Sequence, residues 1–423
     1  MNRFLCGTLL AALSGITLAF AGCGGGGSAS NTPGAPAPTV VVQPLPLPGP
    51  FAVACSNIVQ DFSRVGDGED VNGYWEGMPS DNGVQRYAAD LLADPGNTLI
   101  VKVNAPMDPN LYGSFAGQEV AFVVLACYPT AADNPRPGYT LPTGDNVPHM
   151  QTGSDAPLFA DASARYPMLA FSHGYGGSPI SGDYLSGLTI LASYGYVVVA
   201  PFHGDLRFTD LRINDLSDAI ALLSSLRNFT ALQALRPLSV SAALDNVLAH
   251  PQWRGHLDAT QIGGFGASMG AETMMLLGGA GLTTSYPGLS WTQVTRDPRI
   301  KAAVGYVPYF GQPFLPAFGR DQRGLDNISL PFLGISGTAD TVAPIIEVEI
   351  GMLRLAGTRE LVALSDVQHG FDLASTYDIY TWALTFLDAE VRGNPVAKKQ
   401  LSTMASVAGG GDDSVVILYN GLP

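Results

Sequence analysis

Ser268 lies in a sequence context that suits nucleophilic chemistry. It stands in the pentapeptide Gly-Ala-Ser-Met-Gly at 266–270, between an apolar run and a segment of helix-forming residues at 271–277. A strand–turn–helix of this kind exposes a serine hydroxyl at the end of a strand, and small neighbours let the strand and the helix approach closely. Because a chain with 50 glycines can contain this pentapeptide by chance, a surface turn is the alternative.

A histidine and a carboxylate that can act with this serine follow it in the chain. His369 is the only one of the six histidines that lies after Ser268. Asp340 follows the apolar run 331–336 by a short turn, and a carboxylate in that position can orient a histidine. We prefer Asp340 to three other carboxylates that lie between the serine and the histidine. These are Asp297, Asp326 and Asp366. The order predicts that Ser268 attacks a carbonyl carbon, that His369 transfers its proton and that Asp340 holds the imidazole.

A glycine-rich segment at the end of an earlier apolar run predicts a site for negative charge. The apolar run 166–172 is followed by His-Gly-Tyr-Gly-Gly at 173–177. Backbone N–H groups in such a loop can point into a cleft and bind an oxyanion. We assign the backbone N–H groups of Tyr175 and Met269 as the two donors. His173 is expected to form hydrogen bonds within the loop rather than to transfer protons.

Alternating strand-like and helix-like segments are expected to position these residues. After the first apolar run, a helix-like segment covers 181–194 and a Val-rich run covers 196–201. Further runs typical of buried strands follow the serine, at 300–307, 331–336 and 361–364. This alternation predicts an α/β fold with a mostly parallel central sheet flanked by helices.

Two regions around the alternating part have a different character. Residues 51–160 predict a loop-rich N-terminal extension with β-strands, because strand-like runs are separated by Gly, Pro, Asp and Asn. Residues 204–255 are expected to be mostly helical with a break at Arg236-Pro237. Part of this helical region is a candidate cap over the active site, and packing on the sheet is the alternative.

The N-terminus has the features of an export signal. Residues 1–22 combine a basic start with an apolar segment too short to span a membrane, and Cys23 follows as in the lipobox of bacterial lipoproteins. A plain secretory signal is the alternative. Residues 23–50 are rich in Gly, Ser and Pro with almost no charge, which predicts a linker. The folded domain is then expected at 51–400, with a C-terminal tail at 401–423 that adds an edge strand or docks on the domain.

The net charge limits the classes of partner that the protein can bind, and the cysteine content indicates its compartment. The net charge of −15 argues against nucleic acids and anionic membrane surfaces as partners. If Cys6 leaves with the signal and Cys23 carries the lipid, Cys55 and Cys127 remain as a pair. We expect them to form a disulfide in an oxidising compartment, with two buried free thiols as the alternative. Membrane contact is expected only through the lipid anchor, and the protein is expected to be a monomer.

These motifs, in this order, resemble the α/β-hydrolase superfamily. They are Phe171–Gly177, Ser193–Pro201, Arg236-Pro237, Gly266–Gly270, Gly337–Asp340 and His369–Phe371. They look most like the branch of dienelactone-hydrolase-like and platelet-activating-factor acetylhydrolase-like proteins, which includes cutinase-type polyesterases. The resemblance covers about residues 119–395. It implies an α/β-hydrolase fold and an acyl-enzyme without a metal or an organic cofactor. Serine replaces the cysteine nucleophile of dienelactone hydrolases proper, which favours ester hydrolysis.

The sequence therefore predicts a serine carboxylic-ester hydrolase that is secreted or is anchored as an outer-membrane or periplasmic lipoprotein. Phe371, Tyr306 and Phe310 are candidates to line the acyl pocket, with core packing as the alternative. A lipase or polyester hydrolase is the second hypothesis, because Tyr175 and Met269 are similar to the oxyanion residues of cutinase-type enzymes, and apolar surface beside the cleft would favour it. A peptidase of the same fold and an inactive surface-binding lipoprotein are the remaining alternatives.

Overall fold

The computed structural model describes most of the chain after residue 37. The described residues are 38–56, 99–141, 143–151, 155–208, 216–285, 290–312, 315–326 and 328–419. The predicted signal peptide at 1–22, the lipidation candidate Cys23 and the linker up to residue 37 lie outside them. All described residues belong to the unit Ala37–Pro423, one of two units into which the chain divides.

Strands and helices alternate along the described part of the chain. The strands are β1 (Val40–Val42), β2 (Ala52–Cys55), β3 (Leu99–Asn104), β4 (Glu119–Thr130), β5 (Tyr139–Thr140), β6 (Asn146–Val147), β7 (Tyr166–Ser172), β8 (Val197–Pro201), β9 (Leu257–Ala267), β10 (Gly281–Ser285), β11 (Ser290–Gln293), β12 (Ile300–Tyr306), β13 (Gly311–Gln312), β14 (Leu315–Pro316), β15 (Phe332–Gly337), β16 (Arg359–Leu364), β17 (Met404–Val407) and β18 (Asp413–Tyr419). The α-helices are α1 (Pro109–Tyr112), α2 (Gly182–Ser193), α3 (Leu216–Ala249), α4 (Met269–Leu277), α5 (Ile345–Arg354), α6 (Thr376–Glu390) and α7 (Pro395–Leu401).

A ten-stranded sheet forms the centre of this unit. Its order is β18-β16-β15-β12-β9-β7-β8-β4-β2, and β3 pairs with β4. The six strands from β16 to β8 run parallel. At one end β18 pairs antiparallel with β16, and at the other end β4 pairs antiparallel with β8, β2 and β3. All five residues of β8, Val197–Pro201, are buried, as expected for a strand covered on both faces. The prediction of a mixed α/β fold with a mostly parallel sheet is confirmed.

Helices cover both faces of the sheet and create two hydrophobic cores. On one face, α3 contributes Leu235 and Leu244, and α4 and α5 pack into the same core. On the other face, α2 contributes Leu188 and α6 contributes Trp382, together with α7. Alternate residues of β8 point into the two cores, because successive strand side chains face opposite sides. The sheet therefore holds the carboxyl ends of its parallel strands along one rigid edge.

Helix α3 continues through Pro237, so the predicted break at Arg236-Pro237 is wrong. Proline in a helix interior removes a hydrogen bond and costs about 3 kcal/mol. Leu235 and Val240, on either side of the proline, are about 99% buried and offset this cost by packing on the sheet. The side chains of Leu235 and Val240 therefore pack on the sheet, whereas the cap over the active site stays a prediction.

The expected disulfide between Cys55 and Cys127 is present. The two residues are direct partners in the antiparallel pair of β2 and β4, and their sulfurs are 2.07 Å apart. The bond joins the first strand of the sheet to a strand 72 residues later. It therefore fixes the start of the domain to the sheet.

Both termini of the described part lie on the domain. Residues 38–50, expected as the end of a linker, contact it: β1 pairs with β17, and the Leu45 N–H donates to Thr381 Oγ1 at 3.0 Å. In the tail 401–423, β18 adds an antiparallel edge strand beside β16, which is one of the two roles expected for it. Among the described residues, no helix is both long and apolar enough to cross a membrane.

Candidate active site

Ser268 occupies a strained turn between β9 and α4. Its φ is 53° and its ψ is −119°, a backbone conformation that residues with a side chain rarely adopt. Four backbone hydrogen bonds hold the turn: the Ser268 N–H donates to Tyr306 O at 2.9 Å, and Ser268 O accepts from the N–H groups of Ala271, Tyr309 and Glu272 at 2.9, 3.2 and 3.4 Å. The surrounding strands therefore impose the conformation that presents the serine.

The glycines of the pentapeptide allow this close approach. A Cβ on Gly266 would lie 2.2 Å from the carbonyl oxygen of Gly270. A Cβ on Gly270 would lie 1.9 Å from the carbonyl oxygen of Ser172, at the end of β7. Both distances are far below van der Waals contact and both neighbours are backbone atoms, so neither position tolerates a side chain without movement.

The structure brings Ser268, His369 and Asp340 together in one hydrogen-bonded chain. His369 Nδ1 lies 2.7 Å from Asp340 Oδ2, and His369 Nε2 lies 2.9 Å from Ser268 Oγ. The carboxylate accepts from Nδ1–H, which leaves Nε2 as the acceptor for the serine hydroxyl. The other oxygen of Asp340 accepts from the backbone N–H groups of Val342 and Ala343, each at 2.8 Å. The Asp340 side chain is fully buried, whereas 23% of the His369 side chain is exposed.

The sheet explains why residues so far apart in sequence meet. Ser268 follows β9 directly, Asp340 lies three residues after β15, and His369 lies five residues after β16. These strands are parallel members of one sheet, so their carboxyl ends share one edge. The alternative carboxylates lie elsewhere: Asp297 pairs with Arg299, Asp326 pairs with Arg354, and Asp366 is exposed in a turn.

The loop 173–177 runs beside Ser268. A Cβ on Gly174 would lie 3.4 Å from the Cβ of Ser268, so the loop backbone is in contact distance of the serine. Tyr175 lies between Gly174 and Gly176, whose N–H groups donate to Tyr184 Oη at 3.1 Å and to Asp205 Oδ2 at 3.0 Å. On the other side of the serine, the N–H of Met269 is the first of α4 and has no carbonyl acceptor within its helix.

The two buried histidines of this region serve the loop rather than the chemistry. His173 Nε2 accepts from the backbone N–H of His203 at 3.2 Å, so its Nδ1–H donates to Gly174 O at 2.8 Å, as expected for a loop residue. Burial and the Arg236 guanidinium lower the pKa of His173 to about 4. Burial also lowers the pKa of His203 well below its usual range. His203 bonds Ser172 Oγ at 2.8 Å.

The three predicted pocket residues have different environments. Tyr306 is fully buried, and its hydroxyl donates to Gly370 O at 2.5 Å. Phe371 is partly buried and stacks on Tyr306 with ring centroids 4.6 Å apart, two residues after His369. Phe310 is 99% buried and packs edge-on against Phe318 and Phe332. Tyr306 and Phe310 therefore both belong to the core, and of the three only Phe371 is partly exposed.

Sequence reasoning missed a cavity of about 60 Å³ beside the serine. Two of its lining residues connect it to the site: Tyr309 donates its backbone N–H to Ser268 O, and the ring centroids of Phe229 and Tyr175 are 6.1 Å apart. Gln233 also lines the cavity and donates to Glu272 Oε1 at 2.7 Å. The lining comes from separate elements of the chain, so no local sequence pattern marks it.

The described residues contain no group of three or more His, Cys, Asp or Glu placed to hold a metal ion. In comparisons with known proteins, the chain matches no family model and no curated protein.

Proposed function

We propose that this protein is a serine hydrolase of the α/β-hydrolase fold that cleaves carboxylic esters through an acyl-enzyme. The observation that carries the proposal is the hydrogen-bonded chain from Ser268 Oγ through His369 to a buried Asp340, with the serine on a strained turn. The parallel sheet supports the fold assignment, because the three residues follow its strands in the order serine, acid, histidine.

The geometry supports a two-stage reaction. In the first stage, Ser268 Oγ bonds to the ester carbonyl carbon while His369 Nε2 takes the hydroxyl proton. The carbonyl oxygen becomes an oxyanion, which accepts hydrogen bonds from the N–H groups of Met269 and Tyr175. When the C–O bond breaks, His369 returns the proton to the alcohol, which leaves, and the acyl group stays on the serine.

A water molecule then repeats the sequence on the acyl-enzyme. His369 takes one proton from the water, the hydroxyl bonds to the acyl carbon, and the carboxylic acid departs as Ser268 recovers its proton. Asp340 accepts from Nδ1–H throughout, so it keeps Nε2 available and stabilises the imidazolium in both stages. The completeness of this chain also favours an enzyme over an inactive binding protein.

A lipase or polyester hydrolase is the second candidate, because exposed apolar side chains follow the acid and the histidine in the chain. They are Val342, Ile346, Ile350, Leu353, Leu373 and Tyr377, each between 39% and 86% exposed. The Val342 N–H bonds Asp340 directly, and Leu373 lies four residues after His369. If these side chains form one surface, it is of the kind that marks a contact site. Helix α5, which carries three of these side chains, also carries the carboxylates of Glu347 and Glu349. Their negative charge favours a neutral ester surface over an anionic one.

Hydrolysis of p-nitrophenyl esters of increasing acyl length by the purified protein tests the first proposal. We expect turnover that Ser268→Ala abolishes and that Ser290→Ala, the same exchange at an exposed strand position, leaves unchanged. Absence of turnover on every ester, from folded protein, would contradict ester hydrolysis and favour a peptidase or a binding protein.

The apolar surface is tested by comparing emulsified and dissolved esters. Ile346→Ser and Leu373→Ser are expected to lower the rate on an emulsified ester several-fold and to leave the rate on a dissolved short ester unchanged. Val396→Ser, at another exposed apolar position on α7, is the matched control. If Ile346→Ser and Leu373→Ser hydrolyse the emulsified ester as fast as wild type does, the lipase and polyesterase candidate is removed.

We also propose that the protein is exported. The disulfide between Cys55 and Cys127 supports this, since such bonds persist in oxidising compartments. Expression of the whole chain in a bacterium with labelled palmitate tests the anchor: label that Cys23→Ser removes supports lipidation, and unlabelled protein in the medium supports a plain secretory signal.

A further inference from the structure

An ion pair is buried directly against the loop 173–177. Arg236 lies in α3 and is 1% exposed, and Asp205 lies just after β8 and is fully buried. The guanidinium Nε donates to Asp205 Oδ1 at 3.1 Å, and Nη2 donates to Asp205 Oδ2. Removing two charges from water costs several kcal/mol per ion unless further hydrogen bonds satisfy them. The remaining donors and acceptors of this pair are therefore expected to form further hydrogen bonds.

Those remaining groups all bind the loop. Arg236 Nη1 donates to His173 O at 2.7 Å, and Nη2 donates to Gly174 O at 3.1 Å. Asp205 Oδ2 accepts from the Gly176 N–H at 3.0 Å. The pair thus holds the carbonyl before Tyr175 and the N–H after it.

Peptide planarity converts these contacts into an orientation for Tyr175. The Gly174 carbonyl and the Tyr175 N–H belong to the same peptide unit, and in a trans peptide they point in opposite directions. The Gly174 carbonyl is drawn toward the ion pair by Arg236, and it also accepts from His173 Nδ1 and from the Gly177 N–H at 3.3 Å. The Tyr175 N–H must then point away from the ion pair. Rotation of this peptide would break all three bonds to the carbonyl.

We propose that Arg236 and Asp205 are positioning residues that direct the Tyr175 N–H toward the oxyanion. The inference rests on the proposed ester hydrolysis. Arginine suits this role because its planar fork reaches Asp205, His173 and Gly174 at the same time, whereas a lysine has a single nitrogen. Arg236, which the proposed reaction leaves without a role, is explained by it.

Arg236→Lys tests the inference, because it keeps the charge beside Asp205 and removes the fork. Loss of one oxyanion donor typically lowers kcat by about 100-fold to 1,000-fold. We expect a fall in kcat of about 100-fold for p-nitrophenyl butyrate with KM nearly unchanged. Arg354→Lys, at a solvent-exposed ion pair with Asp326, is the control and is expected to leave both constants unchanged.

The split between kcat and KM distinguishes positioning from a loss of fold. Active-site titration with a p-nitrophenyl phosphate triester gives the fraction of competent enzyme, and kcat is expressed per competent site. A kcat for Arg236→Lys within about threefold of wild type, or a rise in KM alone, would overturn the inference while ester hydrolysis stands.

A crystal structure of the wild-type enzyme phosphorylated on Ser268 keeps the inference testable if the variant does not fold. The phosphoryl oxygen stands in for the oxyanion. We expect it to accept from the Tyr175 N–H while Gly174 O still accepts from Arg236. A phosphoryl oxygen turned away from Tyr175 would overturn the inference. A wild-type protein that neither hydrolyses esters nor reacts with the triester would instead refute the proposed function.

Discussion

Replacing Glu272 with glutamine should change how the stability of the protein depends on pH. Glu272 lies one helical turn after Ser268 in α4 and is 99% buried. Its Oε1 accepts from Gln233 Nε2, and its Oε2 has no hydrogen-bond partner among the described residues. Burial raises the pKa of this carboxyl to about 8, although Arg236 and the Gln233 hydrogen bond lower it in part. The folded protein therefore holds a proton on Glu272 at neutral pH.

The sign of the effect follows from which state binds the proton. Between its ordinary pKa of 4.5 and about 8, Glu272 is protonated in the folded state and ionised in the unfolded state. Stability therefore falls as pH rises through this window. At about 1.4 kcal/mol per pH unit, the loss between pH 5 and pH 8 is on the order of 4 kcal/mol. A glutamine has no proton to lose, so Glu272→Gln avoids this loss.

Urea unfolding of wild type and variant at pH 5 and pH 8 measures the effect. We expect the free energy of unfolding of Glu272→Gln, relative to wild type, to increase by about 4 kcal/mol between the two pH values. Glu360 and Asp378, whose pKa values burial raises to about 8 and about 7, are present in both proteins and cancel in the difference. Glu349→Gln on α5 shows what the same exchange does at a partly exposed position. A relative change below about 1 kcal/mol would refute the reasoning.

Three further predictions follow from the site and the fold. Asp340→Asn should lower kcat by about 10,000-fold in ester hydrolysis, because the histidine loses the acceptor that sets its tautomer; an unchanged kcat would remove Asp340 from the site. Replacing Cys55 and Cys127 with alanine should lower the free energy of unfolding by about 4 kcal/mol, given a loop closed over 72 residues; a change below about 1 kcal/mol in urea unfolding would contradict this. Gly270→Ala should lower kcat and thermal stability together, whereas Gly255→Ala, where a Cβ meets nothing within 4 Å, should change neither. Equal effects of the two exchanges would show that the close approach at Gly270 does not matter.

The candidate site was largely predictable because its parts have local signals. Ser268, Asp340 and His369 each come shortly after an apolar run, and the alternation of strands and helices places the ends of those runs at one edge of a parallel sheet. The order of the three residues along the chain then leaves one histidine. The disulfide was predictable because only two cysteines remain once Cys6 is assigned to the signal and Cys23 to the lipid anchor, and an oxidising compartment favours their pairing.

The features that sequence reasoning missed depend on contacts between distant segments. Asp205 and Arg236 are 31 residues apart, and nothing in either segment distinguishes a buried charge from a solvated one. Glu272 is likewise a charged residue in a short helix, which from sequence alone suggests an exposed side chain. In the structure Gln233 and Tyr309 lie against it. Pro237 was expected to end a helix by its local preference, but packing on both sides of it prevails.

The identity of the nucleophile is the central claim, and covalent labelling tests it most directly. The purified protein would be treated with a fluorophosphonate, digested and analysed by mass spectrometry to locate the added group, with Ser268→Ala treated in parallel. We predict one label on Ser268 at neutral pH, because His369 and Asp340 activate this hydroxyl, and no label on the variant. A label on another residue, or wild-type protein that is folded and unlabelled, would contradict the account.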